Sequence, residues 1–310
     1  MFKDSFKYYK SRDPPPDLSD VIDLRNHVLG KVKRVGVSSN EGFSANERLG
    51  LKSPSNWEIF EFYEIPGLIY IKNPFTSDGQ RYWISKCLRD YSCKPNKLNI
   101  DAHNLLEEGE NWWDVCANDT RRGKDLALKL RWATLGYHHN WDTKVYAEDS
   151  RGKMPLELSE MTGILAKFTG FPNFKAEAAI VNYYRMNSTL AGHTDHSEID
   201  REAPLFSISF GQSAIFLIGG LTQIESAHAL FLHSGDVLVM AGGSRLRYHG
   251  VPKILHADKS PWDSKDNMDE IESLVDWKKA RTYISQARIN INVRQVLKCG
   301  QTTLKGENEI

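Results

Sequence analysis

The sequence is poor in cysteine and has no long apolar run. Its four cysteines are spread over 310 residues without a CxxC pair, which argues against a disulfide framework and against a zinc ribbon. No apolar run approaches the roughly 20 residues that a membrane-spanning helix needs. The N-terminal segment contains Asp4 and Asp13 and lacks the apolar stretch of a signal peptide. We therefore expect a soluble intracellular protein with no membrane partner; the nucleus, the mitochondrion and the cytoplasm stay open.

The chain also lacks a net charge. Forty Lys and Arg residues balance forty Asp and Glu residues, which argues against a uniformly basic nucleic-acid-binding protein but leaves a local basic groove open. Basic side chains are concentrated in residues 1–34 and in the segment Arg121-Arg122-Gly123-Lys124. Such runs are usually solvated surface charge, and nucleic-acid binding is the alternative interpretation.

Several short β-rich runs occur in the second half of the chain. They cover residues 178–184, 205–210, 214–218, 229–232, 236–240 and 288–296, with glycine-containing turns between them. Short strands at this spacing favour a double-sheet jelly roll over a βαβ fold. Helical periodicity predicts helices over 78–91, 124–131 and 156–169, and a strand over 68–71.

We therefore predict an α+β fold that is divided into four parts. Residues 1–60 form an extended, partly helical N-terminal arm, and residues 61–175 form a helical layer that supports the core. Residues 176–298 form the jelly-roll core, interrupted by a polar insertion at 255–285 that ends in a helix through Trp277 and Ile284. Residues 299–310 form a C-terminal tail. We expect a monomer.

A candidate metal site begins at His193-Thr194-Asp195. Positions i and i+2 of a strand share a face, so the imidazole and the carboxylate can reach one ion. Two histidines and one carboxylate are the ligand set of non-haem iron(II) oxygenases. His256-Ala257-Asp258 has the same spacing, but no histidine follows it as third ligand. The third ligand of His193 and Asp195 comes from the downstream histidines, and we prefer the one that stands before a glycine at a turn. The candidates are His228, His233, His249 and His256, with His249 preferred.

A second set of polar side chains lies on the last predicted strand, residues 288–296. Arg288, Asn290 and Arg294 lie on one face of that strand and aliphatic side chains on the other. A ferrous oxygenase that uses 2-oxoglutarate must bind the distal carboxylate, for which the arginine fork is suited. Asn182 and Tyr184 could donate to the same ligand from a neighbouring strand. The alternative is a half-exposed strand whose polar face lies in water.

Taken together, these motifs resemble the AlkB family of iron(II)- and 2-oxoglutarate-dependent dioxygenases. The resemblance covers residues 130–297 and rests on the order and spacing of many motifs. They include Asn182-Tyr183-Tyr184, His193-Thr194-Asp195, Gly219-Gly220-Leu221, His233-Ser234-Gly235-Asp236, Tyr248-His249-Gly250 and Arg288-x-Asn290-x-x-x-Arg294.

The resemblance implies a double-stranded β-helix with an N-terminal helical layer and a nucleotide-recognition lid. It implies that Fe(II) is held by His193, Asp195 and His249, with O2 as the second co-substrate. The residues implied to bind 2-oxoglutarate are Asn182, Tyr183, Tyr184, Arg288, Asn290 and Arg294. The residues implied to contact the substrate are Trp113, Tyr137, His138, His139, Asn140 and Ser197.

The implied activity is oxidative demethylation of N-methylated bases in nucleic acid, with release of formaldehyde, succinate and CO2. The substrates implied are N1-methyladenine or modified cytosine in tRNA, and N6-methyladenine in unpaired DNA, with the methylated base unpaired or flipped. The sequence departs from the bacterial pattern at Ser197, where a base-reading carboxylate is expected, and at Gln223, where a basic residue is expected. Two alternatives remain: a protein-directed oxygenase that acts on methyl-lysine, and a non-catalytic nucleic-acid-binding module.

Overall fold

The computed structural model describes residues 1–26, 30–38, 46–263 and 277–304. Their helices are α1 (Phe2–Lys10), α2 (Ser77–Arg89), α3 (Trp112–Ala117), α4 (Arg121–Ala127), α5 (Leu156–Phe168) and α6 (Trp277–Ile284). The first strands are β1 (Val32–Val35), β2 (Glu58–Phe62), β3 (Leu68–Lys72), β4 (Lys97–Leu98), β5 (Trp132–His139), β6 (Tyr146–Arg151) and β7 (Ala178–Arg185). The others are β8 (Leu190–His193), β9 (Leu205–Gly211), β10 (Ser213–Ile218), β11 (His228–Leu232), β12 (Val237–Met240), β13 (His249–Leu255) and β14 (Ala287–Arg294).

Two antiparallel sheets face each other across the core. The large sheet has the order β1-β2-β3-β12-β9-β14-β7-β5-β4, with β6 paired to β5, and the small sheet has the order β11-β10-β13-β8. From β7 to β14 the chain alternates between the two sheets, except at the β10–β11 hairpin. This is the predicted double-stranded β-helix, and the α+β jelly-roll fold is confirmed.

Alternation along the strands of the large sheet separates two cores. On β7, Val181 and Tyr183 pack with the helical layer, whereas Tyr184 packs between the two sheets with side chains of the small sheet, such as Phe216. Successive residues of a strand point to opposite faces, so each strand supplies both cores. The helix-side core rests on α2 and α5, whose buried faces include Trp83 and Leu165.

The predicted helices and strands are largely confirmed, and the largest shift is in one helix. The helix predicted over 124–131 spans Arg121–Ala127 instead, and it begins there because the Thr120 side chain accepts a hydrogen bond from the Gly123 N–H and caps α4. The helix expected at the end of the insertion is α6, while residues 264–276 lie outside the described residues. Among the described residues no helix is long and apolar enough to cross a membrane.

The N-terminal segment, predicted as an extended and partly helical arm, contains helix α1 and also strands β1 and β2. Helix α1 packs on the outer face of the small sheet, where Phe2 joins Ile215 and Leu217 of β10 in a separate apolar cluster. Strands β1 and β2 extend the edge of the large sheet. Sequence reasoning missed these strands because they are short and half exposed.

Candidate active site

Two neighbouring strands of the small sheet bring the predicted metal ligands together. His193 ends β8 and His249 begins β13, and the two residues are partners in the register of this strand pair. Their ring centroids are 4.3 Å apart. Asp195 follows two residues after His193 and is buried. Residues distant in sequence therefore meet at one end of the barrel because β8 and β13 are paired.

The donor atoms of these residues converge on one point. Asp195 Oδ1 lies 3.8 Å from His193 Nε2, and Asp195 Oδ2 lies 3.5 Å from His249 Nε2. The Nδ1 atom of His193 is 2.9 Å from the Ala191 carbonyl oxygen, and Nδ1 of His249 is 3.0 Å from the Arg247 carbonyl oxygen. Each Nδ1–H can donate to its carbonyl, which leaves both Nε2 lone pairs free for a metal.

The protonation states suit metal binding. Burial and the neighbouring His249 lower the pKa of His193 to about 4, so its imidazole is neutral at pH 7. Burial opposes ionisation of Asp195, but Arg294 and His249 hold its pKa well below the usual range. One carboxylate oxygen donor and two imidazole nitrogen donors match the facial triad of iron(II) oxygenases. Within the described residues this is the one group of three or more such side chains able to hold a metal.

Four buried side chains surround Asp195 and hold its loop. Arg294 Nη2 lies 2.8 Å from Asp195 Oδ1, and Arg294 Nη1 lies 3.2 Å from Glu198 Oε1. Arg245 donates to Glu198 Oε2 at 3.0 Å and to the carbonyl oxygen of Asp195 at 2.7 Å. The Tyr146 hydroxyl donates to Glu198 at 3.0 Å. The two carboxylates and two guanidiniums compensate each other's charge, as burial requires.

A buried arginine faces the space between the sheets. Arg288 is 1 % exposed; its Nη2 donates to Ser209 at 2.9 Å, and its guanidinium lies 5.1 Å from the centre of the Tyr184 ring. Among the described residues, its Nε and Nη1 have no hydrogen-bond partner. A buried charged group with orphaned donors is costly unless an anion completes it. These donors fit a carboxylate of the size that 2-oxoglutarate carries.

The other predicted co-substrate residues divide between the two faces of the sheet. Asn182 and Asn290 are partners in the β7–β14 register, and Asn290 donates to Ser207 Oγ at 2.9 Å. Tyr183 points the other way, and its hydroxyl donates to the Cys87 carbonyl oxygen at 2.6 Å on the helix side. The expectation that Tyr183 contacts the co-substrate is therefore corrected. The sequence already indicated this, because Tyr183 stands between Asn182 and Tyr184 on one strand and must point to the opposite face.

The β5–β6 hairpin holds the predicted lid, but only one of its predicted residues lies beside the iron ligands. The His139 Nε2 atom is 3.0 Å from Ser197 Oγ, and its Nδ1 is buried without a partner in the structure. Burial and Arg294 lower the pKa of His139 to about 4. His139 is thus a neutral imidazole with one nitrogen unused. It contacts Ser197, which follows Asp195 by two residues in the chain.

The remaining lid residues make contacts within the hairpin. The Tyr137 hydroxyl donates to Glu148 at 2.7 Å, and His138 Nδ1 lies 2.8 Å from Thr134 Oγ1 of the same strand. The Asn140 side chain accepts from the backbone of Asp142 and of Thr143 and closes the turn.

Trp113 does not lie at the lid. It is 5 % exposed and packs edge-on to Tyr283 of α6, with ring centroids 5.8 Å apart. Both side chains belong to the core on the helix side of the large sheet. The expected substrate contact is corrected, because the aromatic character of α3 serves packing.

Sequence reasoning did not assign three residues that link the lid to Asp195. They are Glu198, Arg245 and Tyr146, and no pattern in the sequence connects them. Trp132 and Trp141 form an aromatic pair, with ring centroids 5.0 Å apart, and Trp141 also lies edge-on to His139 at 4.8 Å.

Comparison with known proteins agrees with this geometry. Residues 67–294 match the model of the 2OG-Fe(II) oxygenase superfamily. Mouse nucleic acid dioxygenase ALKBH1 is 40% identical over 97% of this chain and 85% of its own length, and its human counterpart is 39% identical over the same shares. The chain belongs to the AlkB family. The resemblance predicted from the motifs is thereby confirmed.

More distant relatives agree with this assignment. The fission yeast tRNA demethylase abh1 is 33% identical over 96% of this chain and 95% of its own length. Among solved structures, the one titled "The structure of OsALKBH1" has a TM-score of 0.50 at 22% identity and covers 74% of this chain and 98% of that one. That likeness supports the fold.

The chain is therefore an iron(II)- and 2-oxoglutarate-dependent dioxygenase, as predicted. Iron(II), 2-oxoglutarate and O2 together supply an oxidant able to hydroxylate a C–H bond. The protein contributes a triad with preset imidazole orientation, a buried arginine with free donors and a lid beside the metal ligands. The non-catalytic binding module is excluded by this family membership together with the complete ligand set.

Proposed function

We propose that this dioxygenase removes methyl groups from N-methylated bases in nucleic acid. Hydroxylation of the N-methyl carbon gives an unstable hemiaminal, which releases formaldehyde, while 2-oxoglutarate and O2 yield succinate and CO2. The observation that carries the proposal is the position of His139 and Ser197, which place neutral hydrogen-bonding groups beside the metal ligands. The relatives named as nucleic acid dioxygenase and tRNA demethylase support the same class of substrate.

The proposed ligand assignments follow from the contacts. His193, Asp195 and His249 hold iron(II). The orphaned Nε and Nη1 of Arg288 bind the distal carboxylate of 2-oxoglutarate, and Tyr184 lies against that guanidinium. Asn182 and Asn290 line the same face of the sheet. Arg294 acts indirectly, because its Nη2 holds the Asp195 carboxylate.

In this proposal, side chains of the β5–β6 hairpin bind the substrate base. A methyl group on a base edge is inaccessible inside a helix, so the target base is unpaired or flipped, at a cost of a few kcal/mol. His139 offers its unused Nδ1 to the base edge, and the aromatic pair of Trp132 and Trp141 offers a stacking surface. The carboxylates of Glu198 and Asp195 are both paired with Arg294. Neither of them is therefore free to pair with a cationic base.

The test measures formaldehyde and succinate with four methylated substrates. These are a tRNA stem-loop with N1-methyladenine, the same stem-loop with a modified cytosine, single-stranded DNA with N6-methyladenine, and a histone peptide with trimethyl-lysine. We expect iron-dependent turnover with one or more of the nucleic acids and none with the peptide. Asp195→Ala serves as the inactive control, because it removes the anionic ligand. Turnover with the peptide alone would show a protein-directed oxygenase instead. Mass spectrometry of cellular tRNA with and without the active protein would then identify the physiological mark.

A further inference from the structure

Tyr146 connects the lid to the metal ligands. It begins β6 and is the partner of His139 in the hairpin register. Its ring is buried and lies edge-on to His139, with centroids 5.4 Å apart. Any displacement of the hairpin by a bound nucleotide therefore also acts on Tyr146.

The hydroxyl of Tyr146 reaches into the charged network behind Asp195. It donates to Glu198 Oε1 at 3.0 Å, and Arg294 Nη1 approaches the Tyr146 oxygen at 3.4 Å. The same Arg294 nitrogen lies 3.2 Å from Glu198 Oε1, while Arg294 Nη2 holds Asp195. Tyr146, Glu198 and Arg294 thus form a continuous chain of contacts from the lid to an iron-ligating carboxylate.

This network leaves little freedom to its members. The Glu198 side chain is fully buried, so each of its oxygens needs a donor. Oε2 is occupied by Arg245, and Oε1 is shared between Tyr146 and Arg294. If Tyr146 withdraws, Glu198 Oε1 depends on Arg294 alone, which draws that guanidinium away from Asp195.

We propose that Tyr146 is a positioning residue that couples occupation of the lid by nucleic acid to the orientation of Asp195. Nucleic acid in the lid holds Tyr146 in contact with Glu198, which keeps Arg294 on Asp195 and the triad ready for metal. The inference rests on the proposed function, because it requires nucleic acid as the occupant. By thermodynamic linkage, a metal in the triad must then tighten nucleic-acid binding by the same factor.

Tyr91 provides a matched control. It is also buried, and its hydroxyl also donates to a carboxylate, that of Glu157, at 3.4 Å. Glu157 pairs with Lys86, and Tyr91 belongs to the core on the helix side of the large sheet. Tyr91→Phe therefore removes a comparable hydroxyl without touching the lid or the network around Asp195.

The experiment measures binding without turnover. Fluorescence anisotropy gives the Kd of a labelled single-stranded DNA carrying one N6-methyladenine, with and without Mn(II), on protein stripped of metal. For the natural chain and Tyr91→Phe we expect Mn(II) to tighten binding about fivefold or more, the lower end of usual couplings. For Tyr146→Phe the factor should fall close to one. Glu198→Gln, which alters the same network from the other side, should also lose the coupling.

Three outcomes would overturn the inference. Binding by the natural chain that is indifferent to Mn(II) shows that the two sites are not linked, while the proposed function stands. Coupling that persists in Tyr146→Phe assigns the linkage to other residues. Failure of the natural chain to bind methylated nucleic acid of any kind removes both the proposed function and this inference. As a second readout, Tyr146→Phe should form more than one succinate per formaldehyde, whereas Tyr91→Phe keeps the one-to-one ratio.

Discussion

Arg294 binds the carboxylate of Asp195, with Nη2 2.8 Å from Oδ1. Six residues earlier on the same face of β14, Arg288 keeps two donors without a partner in the structure. The two arginines of one sequence motif therefore have different surroundings. One completes the environment of a metal ligand, and the other is available to an external anion.

This difference predicts that replacing each arginine by lysine affects a different ligand. Lysine keeps the charge but cannot reproduce the planar two-donor geometry of arginine. Arg288→Lys should raise the KM for 2-oxoglutarate at least tenfold, because a bidentate carboxylate contact is lost, and leave the Kd for Mn(II) nearly unchanged. Arg294→Lys should weaken Mn(II) binding, because Asp195 and Glu198 must then share a single ammonium.

Titration with Mn(II) and steady-state kinetics in 2-oxoglutarate distinguish the two variants. Arg281→Lys is the control, because this exposed arginine pairs with Asp263 on the surface, where ion pairs contribute little. If Arg294→Lys raised the KM for 2-oxoglutarate and left metal binding unaltered, the assignment of Arg294 to Asp195 would be rejected.

Ser197 predicts how the enzyme treats the charge of its base. Its Oγ contacts the neutral imidazole of His139, in the position where the bacterial pattern has a carboxylate. Ser197→Asp should raise the preference for N1-methyladenine, which is cationic, over neutral N6-methyladenine, because a carboxylate beside the base stabilises a positive charge. We expect the ratio of the two kcat/KM values to increase about tenfold.

Ser197→Asn separates charge from size for this prediction. Asparagine has nearly the volume of aspartate but no charge, so its ratio should stay close to that of the natural chain. Competition assays with both bases in otherwise identical oligonucleotides measure the ratio directly. An equal change in both variants would attribute the effect to side-chain volume.

The sequence predicts strand alternation and motif order better than it predicts long-range partners. His193, Asp195 and His249 could be named because two residues share a strand face and the third follows in a later strand. The partner of Arg294 could not, since Asp195 lies 99 positions away in the chain and no local pattern joins them. The assignment of Tyr183 to the co-substrate was wrong. The alternation of side chains along β7 could have prevented it, because Tyr183 lies between Asn182 and Tyr184.

Packing against distant elements explains the other differences. Trp113 was expected to contact the substrate because of the family resemblance, and only its contact with Tyr283 shows that it belongs to the core. The docking of α1 depends on Gly192 and Gly219, which leave room for the Phe2 ring. This role of the two glycines could not be predicted from the sequence, because the Phe2 ring that fills the space is distant along the chain.

The pKa of His139 predicts a loss of stability in mild acid. Burial and Arg294 lower this pKa to about 4, whereas an unfolded histidine titrates near pH 6.5. Between these values the unfolded chain binds the proton and the folded chain does not, so the free energy of unfolding decreases as the pH falls from about 6.5 to 4. Above pH 6.5 the effect is absent.

Urea unfolding of the metal-free chain at pH 7.5, 6 and 5 measures this dependence. His139→Gln should flatten the decrease in part, since His138 and His193 also have a pKa lowered to about 4. His103→Gln, at an exposed position, is the control for replacing a surface histidine by glutamine. A profile of His139→Gln that is superimposable on that of the natural chain would contradict the prediction.

The fit between Gly192 and Phe2 predicts a compensating pair of substitutions beside the metal site. A Cβ atom on Gly192 would lie 2.4 Å from Cε1 of Phe2, so Gly192→Ala forces the ring away and disturbs His193, its neighbour in the chain. Overpacking of this kind usually costs about 1–3 kcal/mol. We expect a lower midpoint of unfolding and weaker Mn(II) binding.

Shortening the buried ring should relieve this clash. Phe2→Leu alone destabilises the chain by leaving space behind β8, but in combination with Gly192→Ala it should recover part of both losses, with a coupling of about 0.5–3 kcal/mol. Gly163→Ala is the control, because a Cβ there meets nothing within 4 Å and alanine favours the α5 helix by about 1 kcal/mol. Strictly additive effects of Gly192→Ala and Phe2→Leu would show that the ring does not support the strand that ends in His193.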